Sequence, residues 1–408
     1  MSDLPTVKVS ECCDILDNLR IPLNAEEREK IKGNIPYCGA NGIQGYISEY
    51  IFDEDLILLA EDGGNFDEYQ TRPIAYRISG KSWVNNHAHV LRSKEGYDFS
   101  FVFYSLQHKN LIPFIKGGTR AKLNQAELRE ITIWDAPLPI QQRIGEIIET
   151  IDNQIDATQA LIDKYTAIKQ GMMADLFSRG IDPETKALRP TFEEAPELYH
   201  KTPLGMLPEG WVCAPIKKFV QSAEYGISTS LNDDSSGIPV LRMNNIQNNR
   251  FNVEDLKFTK DPEAYRLKLS AGDVLYNRTN SMEHVGKTAI WRGELSECSF
   301  ASYLVRINVN KCELLPEYFS FWMSQESSQN ALRAFATPAV QQVNINPTNL
   351  QRVLMSCPVS LLEQREIVDR IDAADAVLLR EREVLLKLNA QKSGLMQDLL
   401  TGKVPVPA

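Results

Sequence analysis

The strongest constraint on this chain is that it repeats itself. Lys169-Gln170-Gly171-Met172-Met173-Ala174-Asp175-Leu176 matches Lys392-Ser393-Gly394-Leu395-Met396-Gln397-Asp398-Leu399 at five of eight positions. Gln142-Arg143 with Glu146-Ile147-Ile148 likewise matches Gln364-Arg365 with Glu366-Ile367-Val368, an offset of about 222 residues. Each Gln-Arg pair follows a proline-containing stretch, Pro137-Leu138-Pro139 or Pro358-Val359. Looser echoes lie upstream: Ile35-Pro36-Tyr37 against Ile238-Pro239-Val240, Asp55-Leu56-Ile57-Leu58 against Asp273-Val274-Leu275-Tyr276, and Gly118-Thr119 against Ala336-Thr337. Self-similarity on this scale predicts one structural unit built twice.

The better-matched part of each unit reads as a long helix. Apolar residues at Ile140, Ile144, Ile147, Ile151, Ile155, Ile162, Tyr165, Ile168, Met172 and Leu176 recur at gaps of 3, 4 or 7. Ile367, Ile371, Ala374, Leu378, Leu385, Leu388, Leu395 and Leu399 do the same in the second copy. These gaps place one narrow stripe along one helix face. At 1.5 Å per residue each helix would be about 57 Å long. Gly180 before Asp182-Pro183, and Gly402 before Pro405, supply the stop signals. A stripe so narrow needs a partner, and each copy is the partner for the other. Two units in the same chain order would pair these helices antiparallel, with a variable domain at either end of the rod. A shortfall of about two residues is also expected, because Ile371-Asp372 follows its Gln-Arg sooner than Ile151-Asp152 does, making the two partner-docking surfaces unequal.

The variable domains read as mixed α/β. Strands are expected at Val7–Val9, Leu56–Ala60, Ile74–Ile78, His89–Leu91 and Ile131–Trp134, and again at Ile238–Arg242, Val274–Tyr276, Thr288–Trp291 and Ser302–Val309. Phe99–Gln107 and Pro316–Gln325 read as short buried helices. Arg189 to Gly210, with four prolines, reads as an extended connection. The resulting division is 1–136 variable domain, 137–180 helix, 181–210 linker, 211–356 second variable domain, and 357–408 second helix and tail.

Net charge is −10, distributed as −5 over 1–136, −4 over 137–205, 0 over 206–356 and −1 over 357–408. A chain this acidic does not coat a polyanion by bulk attraction, so any nucleic-acid contact must come from local basic clusters or a basic partner. Seven scattered cysteines without a CxxC pair point to reduced thiols and a cytoplasmic protein. No apolar run approaches the roughly 18 residues of a membrane span, and the N-terminus lacks a basic-then-apolar leader pattern.

Catalytic patterns are missing. No GxGxxG, Walker loop or Asn-Pro-Pro-aromatic motif is present, so no cofactor and no metal are expected on this chain. His87-x-His89 lacks a third ligand and reads as alternating strand positions. Glu61-Asp62 reads as the approach to a turn at Gly63-Gly64. Loops carrying glycines, amides and cations are better candidates for DNA contact. Lys116, Gly118, Thr119, Arg120 and Lys122 form one cluster. Arg242, Asn244 and Asn245 form a second, and Arg278, Thr279 and Asn280 with Lys287 a third. Glycine admits close backbone approach, and Arg, Lys and Asn carry the donors that pair with phosphates and base edges.

The order of these parts resembles a known family. Pro-Leu-Pro-Ile-Gln-Gln-Arg-Ile opens the first helix at Pro137, and Thr202-Pro203-Leu204-Gly205-x-Leu207-Pro208-Glu209-Gly210-Trp211 opens the second domain. Leu362-Glu363-Gln364-Arg365-Glu366-Ile367-Val368 opens the second helix. Over nearly its full length the chain resembles the specificity subunits of type I restriction-modification systems. The resemblance implies a non-catalytic DNA-recognition subunit: two similar α+β target-recognition domains separated by two long antiparallel helices in a coiled coil, each domain reading half of a split, asymmetric double-stranded target. It also implies that the helices set the spacer and dock two methyltransferase subunits, for which Gln142, Arg143, Met173, Gln364, Arg365 and Met396 are the candidate residues. S-adenosylmethionine, ATP and Mg would belong to the partner methyltransferase and restriction/translocase subunits. A non-catalytic protein-binding scaffold on the same rod is the alternative.

Overall fold

A computed structural model describes residues 4–115, 121–339 and 342–406. The chain divides into two compact units, one of residues 1–161 and 381–408, the other of residues 162–380. Each contains a sheet domain, half of one long helix and half of the other.

In the first unit, a four-stranded antiparallel sheet runs in the order Cys13–Ile15, Ala88–Ser93, Leu56–Ala60, Ala75–Ile78. The central strand Leu56–Ala60 is buried throughout. Period-two alternation explains an unbroken apolar run: Ile57 and Leu59 point into a core with Phe101, Tyr104, Ile144 and Ile148, while Leu56 and Leu58 meet Cys38, Val84 and Val90 on the other face. That second layer is another four-stranded sheet, in which Lys32–Gly39 pairs antiparallel with Gly42–Ile47 and parallel with Lys81–Val84. The strand Thr6–Lys8 pairs with Thr132–Trp134, so the domain's entry and exit strands lie side by side.

The second unit follows the same plan. Its antiparallel sheet has the order Val220–Tyr225, Leu304–Val309, Val274–Asn277, Thr288–Ile290. Val274 and Tyr276 face one core, and Leu275 faces the other with Val240 and Phe300. Ile238–Leu241 again has an antiparallel neighbour, Lys257–Thr259, and a parallel one, Ser299–Phe300. Trp211–Pro215 pairs with Leu354–Pro358 as the entry–exit ribbon. The connection before this domain is not simply extended: Tyr199–Thr202 and Gly205–Pro208 form a hairpin.

The long helices span Leu138–Ser178 and Leu361–Leu399. Gly180 and Gly402 follow them with φ of 65° and 64°, a backbone region in which a Cβ is strained. Within each unit the two helices run antiparallel. In the second unit Lys169 meets Asp375 at 2.5 Å, and twelve residues further along, Ile181 donates its N–H to Glu363, twelve residues back on the other helix. In the first unit Lys392 meets Asp152 at 2.6 Å, while Leu399 lies in the core with Ile144 and Ile148.

These contacts correct the alignment of the repeat. Gln141, not Gln142, is the counterpart of Gln364. Both side chains are buried; Gln141 donates to the Ala136 carbonyl and accepts from the Asp98 N–H, and Gln364 donates to the Pro358 carbonyl and accepts from the Leu315 N–H. The offset is therefore 223. It superposes the buried Ile144 and Ile148 on the buried Ile367 and Ile371, and Lys169 and Asp152 on Lys392 and Asp375. At this offset no residues are missing from the second helix, and the expected two-residue shortfall disappears. The predicted stripe is also shifted: Ile148 and Met173 are buried, whereas Ile168 is 51% exposed.

Each domain is held to its long helix by matching ion pairs. Arg77 reaches Glu149 at 2.5 Å in the first unit, and Arg292 reaches Asp372 at 2.7 Å in the second. The second unit adds a buried hub. Glu363 accepts both arms of Arg189 at 2.5 and 2.9 Å, the Trp211 indole N–H at 3.0 Å and the Ile181 N–H. This explains the Pro-Glu-Gly-Trp junction, since the tryptophan anchors the domain's first strand to the helix. Glu363→Ala would strand a buried guanidinium, and the expected cost is about 3–5 kcal/mol in denaturant unfolding of the second unit. Lys8→Ala, which removes the exposed Lys8–Glu130 pair, should leave the unfolding midpoint essentially unchanged. Equal effects would remove the special role of the hub.

Candidate nucleic-acid interface

Arg278 sits one residue past the strand Val274–Asn277, where the chain leaves the sheet. Its Nε donates to the Thr279 hydroxyl at 3.2 Å, and its guanidinium lies 4.9 Å from the centre of the Tyr225 ring. One edge is thus tied and one face stacked, while the terminal Nη groups make no hydrogen bond or ion pair among the described residues. A cavity of about 350 Å³ opens beside it, lined by Tyr225, Gly226, Ser228, Arg278, Ser302 and Tyr303. Ser228, Ser302 and Tyr303 also line an adjoining cavity of about 590 Å³ that reaches Arg242, Met243 and Asn244. The result is a groove with a planar cation at one end, exposed tyrosines along it and an amide at the other. Oriented donors and ring faces of this kind suit base edges and stacked bases.

The same point of the first domain has different chemistry. Glu61 donates its N–H to the His87 carbonyl at 2.9 Å and accepts from Leu123 N–H at 2.8 Å; Arg278 donates to the Tyr303 carbonyl at 2.9 Å and accepts from Ile345 N–H at 2.8 Å. Glu61 and Arg278 therefore occupy one backbone position in two copies of the fold. Around Glu61, Arg20 binds at 2.6 Å and Lys122 at 3.0 Å. Below it His89, 1% exposed, holds Asp17 at 2.6 Å and the Leu123 carbonyl at 2.8 Å. Asp17, Glu61 and His89 have the composition of a metal site, yet Arg20 and Lys122 already supply positive charge there. The cluster is a brace between the sheet and the segment after residue 120. His87, which is more exposed, pairs with Asp62 at 2.6 Å.

The predicted contact residues separate into distinct groups. Lys116, Gly118, Thr119 and Arg120 lie outside the described residues. Lys122 is half-exposed but committed to Glu61. Arg242 is paired with Asp255 at 2.9 Å, and Asn244 is exposed beside it. Asn245 is buried and spends its amide on the Asn252 and Asp255 carbonyls, so it caps a turn rather than facing a ligand. Thr279 is buried and accepts from Asn344 at 2.7 Å, making it a support for Arg278. Asn280 is half-buried against the Met243 sulfur, and Lys287 is exposed. Among the partner candidates, Gln142, Arg143 and Arg365 are exposed near the helix starts. Gln364 and Met173 are buried inside their own unit and Met396 packs against the core, so these three hold the fold together. Tyr225 and Tyr303 escaped the sequence reading because lone tyrosines carry no motif. All seven cysteines are free, and no described helix is long and apolar enough to cross a membrane.

Residues 1–166 match the family model described as "Type I restriction modification DNA specificity domain". Over those residues the chain is similar to the type I restriction-modification specificity family. A putative type I restriction enzyme specificity subunit of Haemophilus influenzae is 37% identical over 151 residues, which is 37% of this chain and 38% of that relative. The match therefore spans well under half of that protein. The MjaVIII specificity subunit of Methanocaldococcus jannaschii is 24% identical over 410 residues, covering 93% of this chain and 88% of the relative. The crystal structure of an S subunit from M. genitalium has a TM-score of 0.62 at 11% identity, covering 100% of this chain and 98% of that one, a likeness of fold. The family model covers the first domain and the first part of its helix. The second domain repeats the same strand order, and so is a second copy by fold.

The brace in the first domain carries a pH signature. Burial acts to raise the Asp17 carboxyl, but its hydrogen bond to His89, the Val90 N–H and nearby Arg20 bring it below the usual carboxylate value. Burial is likewise outweighed at Glu61 by hydrogen bonds from Arg20 and Lys122. Folded-state values below the unfolded ones mean stabilisation that is complete above the ordinary carboxylate range and lost as pH falls through it. Amide protection factors at residues 88–91, taken relative to the intrinsic exchange rate at each pH, should fall as the pH drops below about 4. Asp17→Asn should flatten that dependence, and an unchanged slope in the variant would exclude the brace as its source.

Proposed function

We propose that this chain is the DNA-reading subunit of a type I restriction-modification complex, each domain reading one half of a bipartite, asymmetric double-stranded target. The observation that carries this reading is the duplication of a whole domain on a shared helix pair, with unlike chemistry at matching backbone positions. A repeated frame with divergent grooves suits two different half-sites. The long helices, continuous through both units, set the number of unread base pairs between the halves.

The chain recognises and its partners catalyse. Two methyltransferase subunits bring S-adenosylmethionine, and a restriction/translocase subunit brings ATP and Mg. With alignment at 223, exposed Gln142 and Arg365 occupy equivalent positions at the helix starts, so the chain offers two matching docking points. Partner subunits also answer the charge problem, because a chain with net charge −10 needs others to neutralise phosphates. The complex acts in the cytoplasm, where the DNA is.

Methylation sequencing of cells carrying this chain with its partner subunits should show one split motif with unread bases between its halves. Exchanging residues 1–136 for those of another family member should change one half only; a change in both halves would refute independent reading. Adding a matched turn to both helices, between residues 161 and 162 and between 380 and 381, should alter the spacer while preserving both half-sites. An altered half-site would show that the helices do more than set the gap. A scaffold would leave no sequence-dependent methylation in any arm.

A further inference from the structure

We propose that Arg278, just past the central strand of the second domain, is that domain's specificity-determining residue, and that the base it reads is guanine. This rests on the DNA-reading function proposed above and extends it to a named residue and base. Tyr225 and Tyr303 wall the site.

The strand Leu56–Ala60 pairs with Ala88–Ser93 as Val274–Asn277 pairs with Leu304–Val309, and the bonds of Glu61 and Arg278 continue both ladders in the same register. Beyond that point, Asp62 bridges Lys122 in one domain and Thr279 pairs with Asn344 in the other. The backbone therefore presents the same few positions at the same place in both domains, and only the side chains differ.

Those side chains differ in sign. Arg278 is the planar cation of its groove without an ion-pair partner among the described residues, since Arg242 is spent on Asp255. A guanidinium with Nε tied and one face stacked is pre-organised, so little rotamer freedom remains to be lost when its fork meets the O6 and N7 acceptors of guanine. Tyr225 and Tyr303 are 45% and 49% exposed, large rings kept in solvent at the mouth of the groove. In the first domain Glu61 is locked by Arg20 and Lys122 and is unavailable.

The test is methylation sequencing of cells carrying the full chain and its partner subunits, wild type and variants. A wild type with no split motif would overturn the DNA-reading function itself. Given a split motif, Arg278→Lys keeps the charge and loses the fork. It should relax one guanine of the second half by roughly 5- to 150-fold and leave the first half intact. An even loss of methylation with the motif unchanged overturns the inference, because it marks phosphate contact, and so does relaxation at a base of the wrong class. If Arg278→Lys fails to fold, Tyr303→Ala removes an exposed ring and must relax the same guanine; an unchanged motif there overturns the proposal.

Discussion

Two part-buried lysines hold this architecture in register. Lys169 comes from the first repeat and Asp375 from the second, and Lys392 and Asp152 reverse those roles. Each ammonium also lies near an aromatic ring of the short helix packed beneath, Phe321 for one and Tyr104 for the other. An ion pair removed from water adds little net stability, because desolvation offsets the Coulomb attraction. Its value is in specificity. Sliding one helix past the other by a turn would leave two lysines and two aspartates desolvated without partners, so polar groups at otherwise apolar helix positions select one pairing. An apolar stripe alone does not choose its register; these four charges do.

A fixed register lets a single frame carry two functions. Gln141 and Gln364 tie each short helix to the strand leading into its long helix, and Arg77 and Arg292 tie each sheet to that helix. None of these residues lies at the strand-end positions where the domains differ. Packing and reading are thus separated: exchange of Glu61 for Arg278 changes the charge at the strand end while the ladder beneath keeps its geometry. That separation is the physical condition for two domains to diverge on a constant scaffold.

The reading of the sequence succeeded where a regular period or a repeated string carried the information. Leu56–Ala60 and Phe99–Gln107 were legible because an unbroken apolar run between turns has few places to go. It failed by one residue at the helix start, where Gln141-Gln142-Arg143 and Glu363-Gln364-Arg365 can be aligned on the Gln-Arg pair or on the buried glutamine. Identity favoured the first choice and hydrogen bonding decides for the second. Asn245, Thr279, Gln364 and Met173 were misplaced for a related reason. A polar or flexible residue looks the same in sequence whether it meets solvent or spends its donors on the chain's own carbonyls.

By itself, then, the sequence determined the duplication, the two long helices and the pairing between them, because these follow from periodicity and self-similarity, which are local or linear properties. The tertiary structure decided which cations are free. Arg242 and Arg278 sit in similar polar loops, and only the fold brings Asp255 to the one and a tyrosine ring to the other. It also decided that Glu61 and Arg278 share a position, since that equivalence rests on hydrogen bonds to residues 26 and 25 positions further along the chain, a span over which no sequence pattern carries register.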